Sequence, residues 1–224
     1  MIFRNREEAG RILADKLSQY RNDPTGLILA LPRGGVAVGY QLSLALHVPL
    51  DVFLARKIGA PGNPEYAIGA VAETGSRYLN QEAVSSFGLS RYELDRLIHV
   101  QENEIARRKD LYRQGRPFPQ LTGRTVLLVD DGIATGSTFM ASALAIRGLQ
   151  PRRLVGVIPV GPSSTIREVR AHVDELVVLM IPDPFEAVGH FFVDFTQVED
   201  RDVVAYLNLA EEAMLERTPS SPAS

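Results

Sequence analysis

The sequence contains no cysteine and only four histidines in 224 residues. Without cysteine, a disulfide framework and any site built on thiolate ligands are excluded. The histidines at positions 47, 99, 172 and 190 lack the close spacing of a metal-binding pair. The sequence therefore gives no sign of a disulfide-stapled fold or of a zinc-type metal site.

Long apolar runs and an excess of positive charge are also missing. No run approaches the roughly 20 apolar residues that a helix needs to span a bilayer, and the start, "MIFRNREEAG", lacks the apolar core of a signal peptide. The formal net charge is −3, whereas general nucleic-acid binding requires a basic surface. We therefore expect a cytoplasmic protein with neither a membrane nor a nucleic acid as a partner.

Short apolar segments alternate with helical patterns along most of the chain, which at 45% apolar residues suits one globular domain. Strands are predicted at 26–31, 49–56, 125–131, 152–160 and 174–181, and helices at 6–20, 36–48, 89–114, 137–149 and 163–173. This alternation predicts an α/β fold with a parallel sheet flanked by helices. In the longest helix, Ser90 and Glu93 have the spacing of a capping box, and we interpret the basic C-terminal half as a solvated face.

Two segments depart from the alternation. Residues 57–75, "KIGAPGNPEYAIGAVAETG", are rich in glycine and proline and predict a long loop, which in a compact domain is often functional. The segment "IPDPFEAVGHFFVDF" is aromatic-rich, and the closing "TPSSPAS" predicts a disordered tail. We expect one domain over residues 1–210 and a tail over residues 211–224.

The stretch "DDGIATGST" follows a predicted strand directly, and ligands of open parallel sheets bind at the carboxyl ends of the strands. The backbone amides of Thr135 to Thr138 can form a phosphate cradle at the start of the next helix. A phosphate placed directly on Asp130 and Asp131 would be repelled, but these carboxylates could hold sugar hydroxyls or Mg²⁺ beside it. Neither a Walker loop nor the dinucleotide-binding fingerprint is present.

A second loop, "LPRGG", follows the first predicted strand and precedes a helix. Gly34 and Gly35 allow close backbone approach to a ligand, and the helix N-terminus favours an anion. Arg33 adds a positive charge with fork geometry. An ordinary tight turn between strand and helix is the alternative interpretation.

The stretch "VLLVDDGIATGST" resembles the phosphoribosyl-pyrophosphate signature of the type I phosphoribosyltransferases, and "LPRGG" resembles the pyrophosphate loop of that family. The resemblance implies the family's sheet with a small C-terminal hood, largely over residues 182–205, and a cis peptide bond entering Arg33. It implies that Asp130 and Asp131 hold the ribose hydroxyls. The implied 5′-phosphate loop comprises Ala134, Thr135, Gly136, Ser137 and Thr138.

Two further segments resemble purine-specific members of the family. "RKIGAPGNPEYAIGA" is similar to the flexible catalytic loop of adenine phosphoribosyltransferases, which implies catalytic roles for Arg56, Lys57 and Glu65; an exposed loop acid is an equal alternative for Glu65. The C-terminal aromatic segment resembles hypoxanthine-guanine phosphoribosyltransferases. This implies that Phe185 stacks on the base and that Asp194 reaches the metal and pyrophosphate region. Phe191, Phe192 and Phe195 are interpreted as packing residues of the hood.

The resemblance implies transfer of the 5-phosphoribosyl group from phosphoribosyl pyrophosphate to a nitrogenous base, with release of pyrophosphate. Mg²⁺ is the implied cofactor, with Asp130, Asp131 and Asp194 as ligands, and the family suggests a homodimer. Ala134 and the lysine-free "IPVGP" argue against a 6-oxopurine acceptor. The alternative is a regulatory module that binds phosphoribosyl pyrophosphate without turnover. A hydrolase using Asp130 as nucleophile ranks third, since such an enzyme would need Asp130 in a D-x-D arrangement with a downstream lysine and acids, and position 132 is glycine.

Overall fold

The computed structural model describes residues 2–216, apart from the side chain of Glu65. The strands are β1 (Gly26–Ala30), β2 (Leu50–Val52), β3 (Ala55–Ala60), β4 (Asn63–Ala72), β5 (Arg77–Leu79), β6 (Thr125–Val129), β7 (Arg153–Val160) and β8 (Glu175–Met180). The α-helices are α1 (Arg6–Lys16), α2 (Gly34–Leu46), α3 (Gln81–Ser86), α4 (Arg91–Arg113), α5 (Ser137–Gly148), α6 (Ser163–Arg170) and α7 (Asp200–Leu215). Within residues 2–216, no helix combines the length and apolar character that a membrane span requires.

The main sheet has five parallel strands in the order β2-β1-β6-β7-β8. The predicted α/β fold with a parallel sheet flanked by helices is therefore confirmed. The chain first moves outward from β1 to β2 and then crosses back to β6, so the strand order reverses between β1 and β6. The loops that follow β1 and β6 border the same crevice, which is where ligands of open α/β sheets bind.

Helices cover both faces of the main sheet, and every residue of β1 is buried. Ile28 and Ala30 belong to a cluster with apolar residues of α1, α2 and α7, whereas Leu27 and Leu29 belong to a cluster with residues of α5 and α6. Alternate side chains of a strand point to opposite faces. Burial of each large side chain stabilises the fold by about 1.5–3 kcal/mol, so helices on both sides hold the strand ends in place.

The segment predicted as a loop at 57–75 forms most of a second sheet, and that prediction is wrong. Strands β3, β4 and β5 are antiparallel and pack on α3 and α4 through a satellite core that includes Ile58, Ile68 and Ile98. The glycines taken as loop signals lie where strands approach closely. A Cβ at Gly59 would be 2.5 Å from the Pro64 carbonyl oxygen, and one at Gly69 would be 2.4 Å from that of Tyr78.

The hood is built from both ends of the described chain. Phe3 forms a parallel bridge with Phe192, and their ring centroids are 5.3 Å apart. Phe192 is buried and also contacts Phe195, which agrees with a packing role for these aromatics. The predicted hood limit at residue 205 and the predicted domain end at residue 210 both fall inside α7, which packs on the main core through Val203 and Leu207. The rest of the predicted tail, residues 217–224, lies outside the described residues.

Helix α4 begins with the predicted capping box, in which the Ser90 and Glu93 side chains bond each other's backbone N–H. Its basic C-terminal half is not simply a solvated face, however. The side chain of Arg113 is only 2% exposed and forms a buried ion pair with Glu73, which is 4% exposed. Arg113 also donates to the Val52 carbonyl oxygen at 2.7 Å. The end of α4 is thereby tied to the junction between the two sheets.

Candidate active-site crevice

The loop after β1 runs beside the end of β6. The Leu31 N–H donates to the Val129 carbonyl oxygen at 2.8 Å, and the Gly35 N–H donates to the Leu31 carbonyl oxygen at 3.1 Å. The Pro32–Arg33 peptide bond is cis, as predicted. Helix α2 starts at Gly34 without a side-chain cap, so its first N–H groups can bind an anion.

Gly34 and Gly35 are also required by the packing of the loop against the protein itself, while their predicted role in ligand approach stays a prediction. A Cβ at Gly34 would lie 1.8 Å from Asp131 Oδ2 and 2.8 Å from Arg6 Nε. A Cβ at Gly35 would lie 2.9 Å from the Val129 carbonyl oxygen. The space beside Gly34 is thus occupied by an ion pair of the protein itself, so this glycine lets the loop sit against the acidic pair.

The acidic pair is half-buried and carries different partners on its two carboxylates. Asp130 Oδ1 accepts the Asp131 N–H at 2.9 Å. Asp131 Oδ2 accepts from Arg6 Nε at 2.6 Å. Burial, and then the neighbouring Asp131 carboxylate, raise the pKa of Asp130 well above its usual range, while Arg6 partly offsets this. Sequence reasoning missed Arg6, because nothing near residue 6 indicates a partner in the loop after β6.

The loop from Ala134 to Thr138 has the backbone arrangement that an anion cradle requires. Gly136 adopts a left-handed conformation with φ of 69°, and α5 then begins at Ser137 with no side-chain cap. By contrast, α1 and α4 both begin with side-chain caps. The uncapped N–H groups of α5 border a cleft of about 150 Å³ that Asp130 and the residues 132–139 line. The Thr165 hydroxyl fixes the loop by donating to the Ala134 carbonyl oxygen at 2.7 Å.

Four arginines gather around carboxylates of α4 and of the start of α7; we call Arg33, Arg56, Arg107 and Arg108 the arginine cluster. Arg33 Nη1 lies 3.3 Å from Glu199 Oε2. Arg107 and Arg108 both donate to Glu104 at 2.8 Å through their Nε atoms. Arg56 lies against the same helix face, with Nη1 3.8 Å from Glu104 Oε1.

The electrostatics agree with a shared environment for these groups. Burial, and then the Arg108 charge, lower the pKa of Arg56. Burial and the hydrogen bond to Asp200 raise the pKa of Tyr112, while the charges of Arg108 and Arg33 lower it. Four guanidinium groups face the carboxylates of Glu104, Glu199 and Asp200, so the cluster carries about one net positive charge. The interpretation of the basic half of α4 as a solvated face is wrong for Arg108, which is only 17% exposed and belongs to this cluster.

Three other predicted site residues lie as follows. Lys57 follows Arg56 within β3, and successive side chains of a strand point to opposite faces, so the two cannot both face α4. Glu65 lies within β4, where only its backbone is described. Phe185 stacks on Phe191, with centroids 5.7 Å apart and an interplanar angle of 16°. The catalytic roles of Lys57 and Glu65 and the base-stacking role of Phe185 remain predictions.

Asp194, the third predicted metal ligand, lies at a turn of the hood. Its Oδ1 accepts from the Thr196 N–H at 2.9 Å and from the Thr196 hydroxyl at 2.6 Å, and these bonds lower its pKa. Within residues 2–216, no group of three or more His, Cys, Asp or Glu residues could hold a metal ion. The crevice does fit a magnesium ion that is shared with a substrate, since Mg²⁺ commonly takes one or two carboxylates together with substrate phosphates. Asp130 and Asp131 are the carboxylates in position for that.

The fold and the crevice define a doubly wound α/β protein in which two loops at the switch point lead into helices without side-chain caps. A family model described as "Phosphoribosyl transferase domain" matches residues 1–194. Two proteins from Mycobacterium tuberculosis, of strains CDC 1551 / Oshkosh and ATCC 25618 / H37Rv, are each 39% identical to the chain over 215 residues. Both carry provisional names as phosphoribosyl transferases. The chain belongs to the type I phosphoribosyltransferase family.

The chain matches over 96% of its own length but only 48% of the length of each mycobacterial relative, so it spans about half of those proteins. Among solved structures, the TT1426 protein from Thermus thermophilus is 39% identical and has a TM-score of 0.77. That match covers 92% of this chain and 98% of TT1426. The AQ2163 protein from Aquifex aeolicus shares the fold alone, at 12% identity and a TM-score of 0.51 over 90% of this chain and 84% of that one.

Proposed function

We propose that the protein is an enzyme that transfers the 5-phosphoribosyl group from phosphoribosyl pyrophosphate to a nitrogen nucleophile such as a nucleobase, and releases pyrophosphate. The observation that carries this proposal is the position of the acidic pair. Asp130 and Asp131 lie between the uncapped start of α5 on one side and the loop of Arg33 on the other. The crevice thus offers a helix N-terminus, then two carboxylates, then a positively charged loop. A sugar phosphate with a second anionic group at its opposite end matches this order, with its hydroxyls at the carboxylates.

The binding roles follow from the geometry of the two loops. The N–H groups at the start of α5 and the hydroxyls of Ser137 and Thr138 would hold the 5′-phosphate. The carboxylates of Asp130 and Asp131 would accept the ribose hydroxyls, because Asp130 lines the same cleft as the phosphate loop and Asp131 is its immediate neighbour in the chain. The start of α2 and Arg33 would bind the pyrophosphate group.

In the reaction, the acceptor nitrogen attacks the anomeric carbon as the bond from that carbon to the pyrophosphate oxygen breaks. Negative charge then builds on the leaving group. Arg33 and the nearby Arg56, Arg107 and Arg108 are fixed by carboxylates before substrate binds, so they can stabilise this charge with little reorganisation. Magnesium bound to the pyrophosphate would neutralise part of the same charge.

The acceptor would bind between the hood and the loop after β6. Val188 packs directly on Gly132, since a Cβ at this glycine would be 2.4 Å from Val188 Cγ1. The part of the hood that covers this region is mainly apolar, and Phe185 and Phe191 stack on each other within it. An acceptor with a flat, weakly polar ring would fit such a surface, whereas a strongly charged acceptor would lose its hydration without compensation.

The proposal is tested by measuring pyrophosphate release from phosphoribosyl pyrophosphate and Mg²⁺ across a panel of nucleobases and related nitrogen nucleophiles. Release that depends on one nucleophile establishes the transferase and identifies the acceptor. The control is the Asp130→Asn, Asp131→Asn variant, which should show no release. If the folded wild-type protein binds phosphoribosyl pyrophosphate but releases no pyrophosphate with any member of the panel, the regulatory binding module becomes the better description.

A further inference from the structure

Arg6, at the first turn of α1, connects three parts of the molecule. Its Nε donates to Asp131 Oδ2 at 2.6 Å, and its Nη1 donates to the Thr196 carbonyl oxygen at 2.9 Å. The guanidinium carbon lies 3.7 Å from the centroid of the Phe195 ring. Arg6 is only 8% exposed. A single buried cation therefore joins α1, the acidic pair and the hood.

A buried guanidinium is costly unless its charge and its donors are matched. Here the matching is specific, because the Nε partner is a carboxylate predicted to bind the ribose. The loop after β1 is also shaped around the pair. A Cβ at Gly34 would lie 1.8 Å from Asp131 Oδ2, so any residue with a side chain at position 34 would displace the Asp131 carboxylate.

We propose that Arg6 is a positioning residue for the ribose subsite, acting through Asp131. This inference rests on the proposed function, which assigns the ribose hydroxyls to Asp130 and Asp131. Arg6 holds one oxygen of Asp131 and thereby fixes the direction in which the carboxylate meets the sugar. A hydrogen bond to a charged group orients its partner more strongly than a neutral one does.

Arg6 also changes the charge that an anionic substrate meets. Asp130 and Asp131 together carry two negative charges when ionised, and Arg6 reduces the sum to one. A phosphate bound at the start of α5 is repelled less by the acidic pair in its presence. Because the same guanidinium bonds Thr196 and stacks on Phe195, the hood and the ribose subsite are held in one arrangement.

The experiment measures two affinities by calorimetry in the presence of Mg²⁺. Ribose 5-phosphate reports on the ribose subsite and the 5′-phosphate loop, whereas inorganic pyrophosphate reports on the loop of Arg33. We expect Arg6→Met to weaken ribose 5-phosphate binding by about 10-fold to 100-fold, the range of a lost bond to a charged group. Pyrophosphate binding should change less than about 2-fold. Arg6→Lys should recover part of the loss, because the charge is retained.

Two further variants separate positioning from general damage. Arg11→Met is the matched control, because Arg11 is an exposed arginine of the same helix whose side chain lies 3.4 Å from Gln41; it should leave both affinities unchanged. Asp131→Asn removes the carboxylate through which Arg6 acts. In that background, Arg6→Met should weaken ribose 5-phosphate binding by less than about 3-fold, since the two residues act as one unit. If Arg6→Met proves too unstable to purify, Arg6→Lys is used in its place. The same comparison is then made: the loss of ribose 5-phosphate affinity caused by Arg6→Lys is measured alone and in the Asp131→Asn background.

The outcomes are distinct. If the wild-type protein binds no ribose 5-phosphate, the proposed function fails and the inference fails with it. If the wild-type protein binds ribose 5-phosphate and Arg6→Met binds it equally or more tightly, the proposed function stands and the inference is overturned. Equal losses for ribose 5-phosphate and pyrophosphate would also overturn it, because a positioning role through Asp131 affects only the first.

Discussion

Replacing Arg113 by methionine is the sharpest test of how the two sheets are held together. Arg113 is the last residue of α4, and its guanidinium bonds Glu73 at the end of β4 and the Val52 carbonyl oxygen. Asp51 Oδ1 lies 3.5 Å from its Nε. Methionine fills most of the same volume without charge, so the substitution removes the pairing while it leaves Glu73 buried.

The expected loss in the free energy of unfolding depends on the Glu73 charge, which stays buried after the substitution. Removal of one partner of a buried ion pair costs about 3–5 kcal/mol, because the other charge stays buried without compensation. Glu73 keeps the bond from the Leu54 N–H at 2.8 Å, which limits the loss to that range. For a chain of this size, 1 kcal/mol lowers the melting temperature by about 2–4 °C, so Arg113→Met should melt about 6–20 °C lower.

The assay is thermal and chemical denaturation followed by far-UV circular dichroism, which give the melting temperature and the free energy of unfolding, with Arg116→Met as the control. Arg116 lies just beyond α4 and pairs at 2.7 Å with Glu211, but both side chains are about half exposed. Loss of such a surface pair costs less than about 1 kcal/mol. Adding Glu73→Gln to Arg113→Met should restore part of the stability, because the unpaired buried charge is then gone.

A loss below about 1 kcal/mol for Arg113→Met would refute this reasoning. It would mean that the end of α4 can relax enough to hydrate Glu73. No recovery on adding Glu73→Gln would refute the ion-pair part alone, and would assign the loss to the hydrogen bond with the Val52 carbonyl oxygen and to the contact with the Phe118 ring.

Three further predictions concern the crevice and the far end of the sheet. Arg33→Ala should lower turnover and weaken pyrophosphate binding while ribose 5-phosphate binding stays within about 2-fold by calorimetry; equal losses would contradict this division of roles. Asp130→Asn with Asp131→Asn should weaken phosphoribosyl pyrophosphate binding by at least about 10-fold, and unchanged affinity would refute the ribose role. Burial, and then the bond to Glu175, raise the pKa of Tyr20 from 10.0 to about 12. Because burial and Glu175 together disfavour the ionised phenol, the stability linked to the neutral Tyr20 side chain is fully present below pH 10 and is lost as the pH rises through 12, by roughly 2–3 kcal/mol. Tyr20→Phe should lack this loss in denaturation measured between pH 9 and pH 12, and identical pH profiles would contradict the assignment.

The main sheet and its two ligand loops could be predicted from the sequence because their signals are local. The apolar run of β6, the two aspartates after it and the glycine before α5 are contiguous, so strand, acidic pair and cradle appear together. The capping box of α4 is local for the same reason, with Ser90 and Glu93 three residues apart.

Partnerships between distant residues could not be predicted in this way. Arg6 and Asp131 are 125 positions apart in the chain, and Arg113 and Glu73 are 40 positions apart. The residues around one member of such a pair therefore give no sign of the other. The hairpin of β3 and β4 was missed because glycine and alanine are weak strand formers that read as loop signals. Their small side chains allow the close strand approach seen at Gly59.

The bridge between Phe3 and Phe192 has a practical consequence for exchanging parts between relatives. The Val193 N–H donates to the Phe3 carbonyl oxygen at 2.8 Å, and the Asp194 N–H donates to that of Arg4 at 2.8 Å. The hood is therefore a composite of two chain segments that lie far apart in sequence. A chimera that imports residues 182–199 from another protein would need residues 2–6 from the same source, or its transplanted hood would meet a mismatched edge.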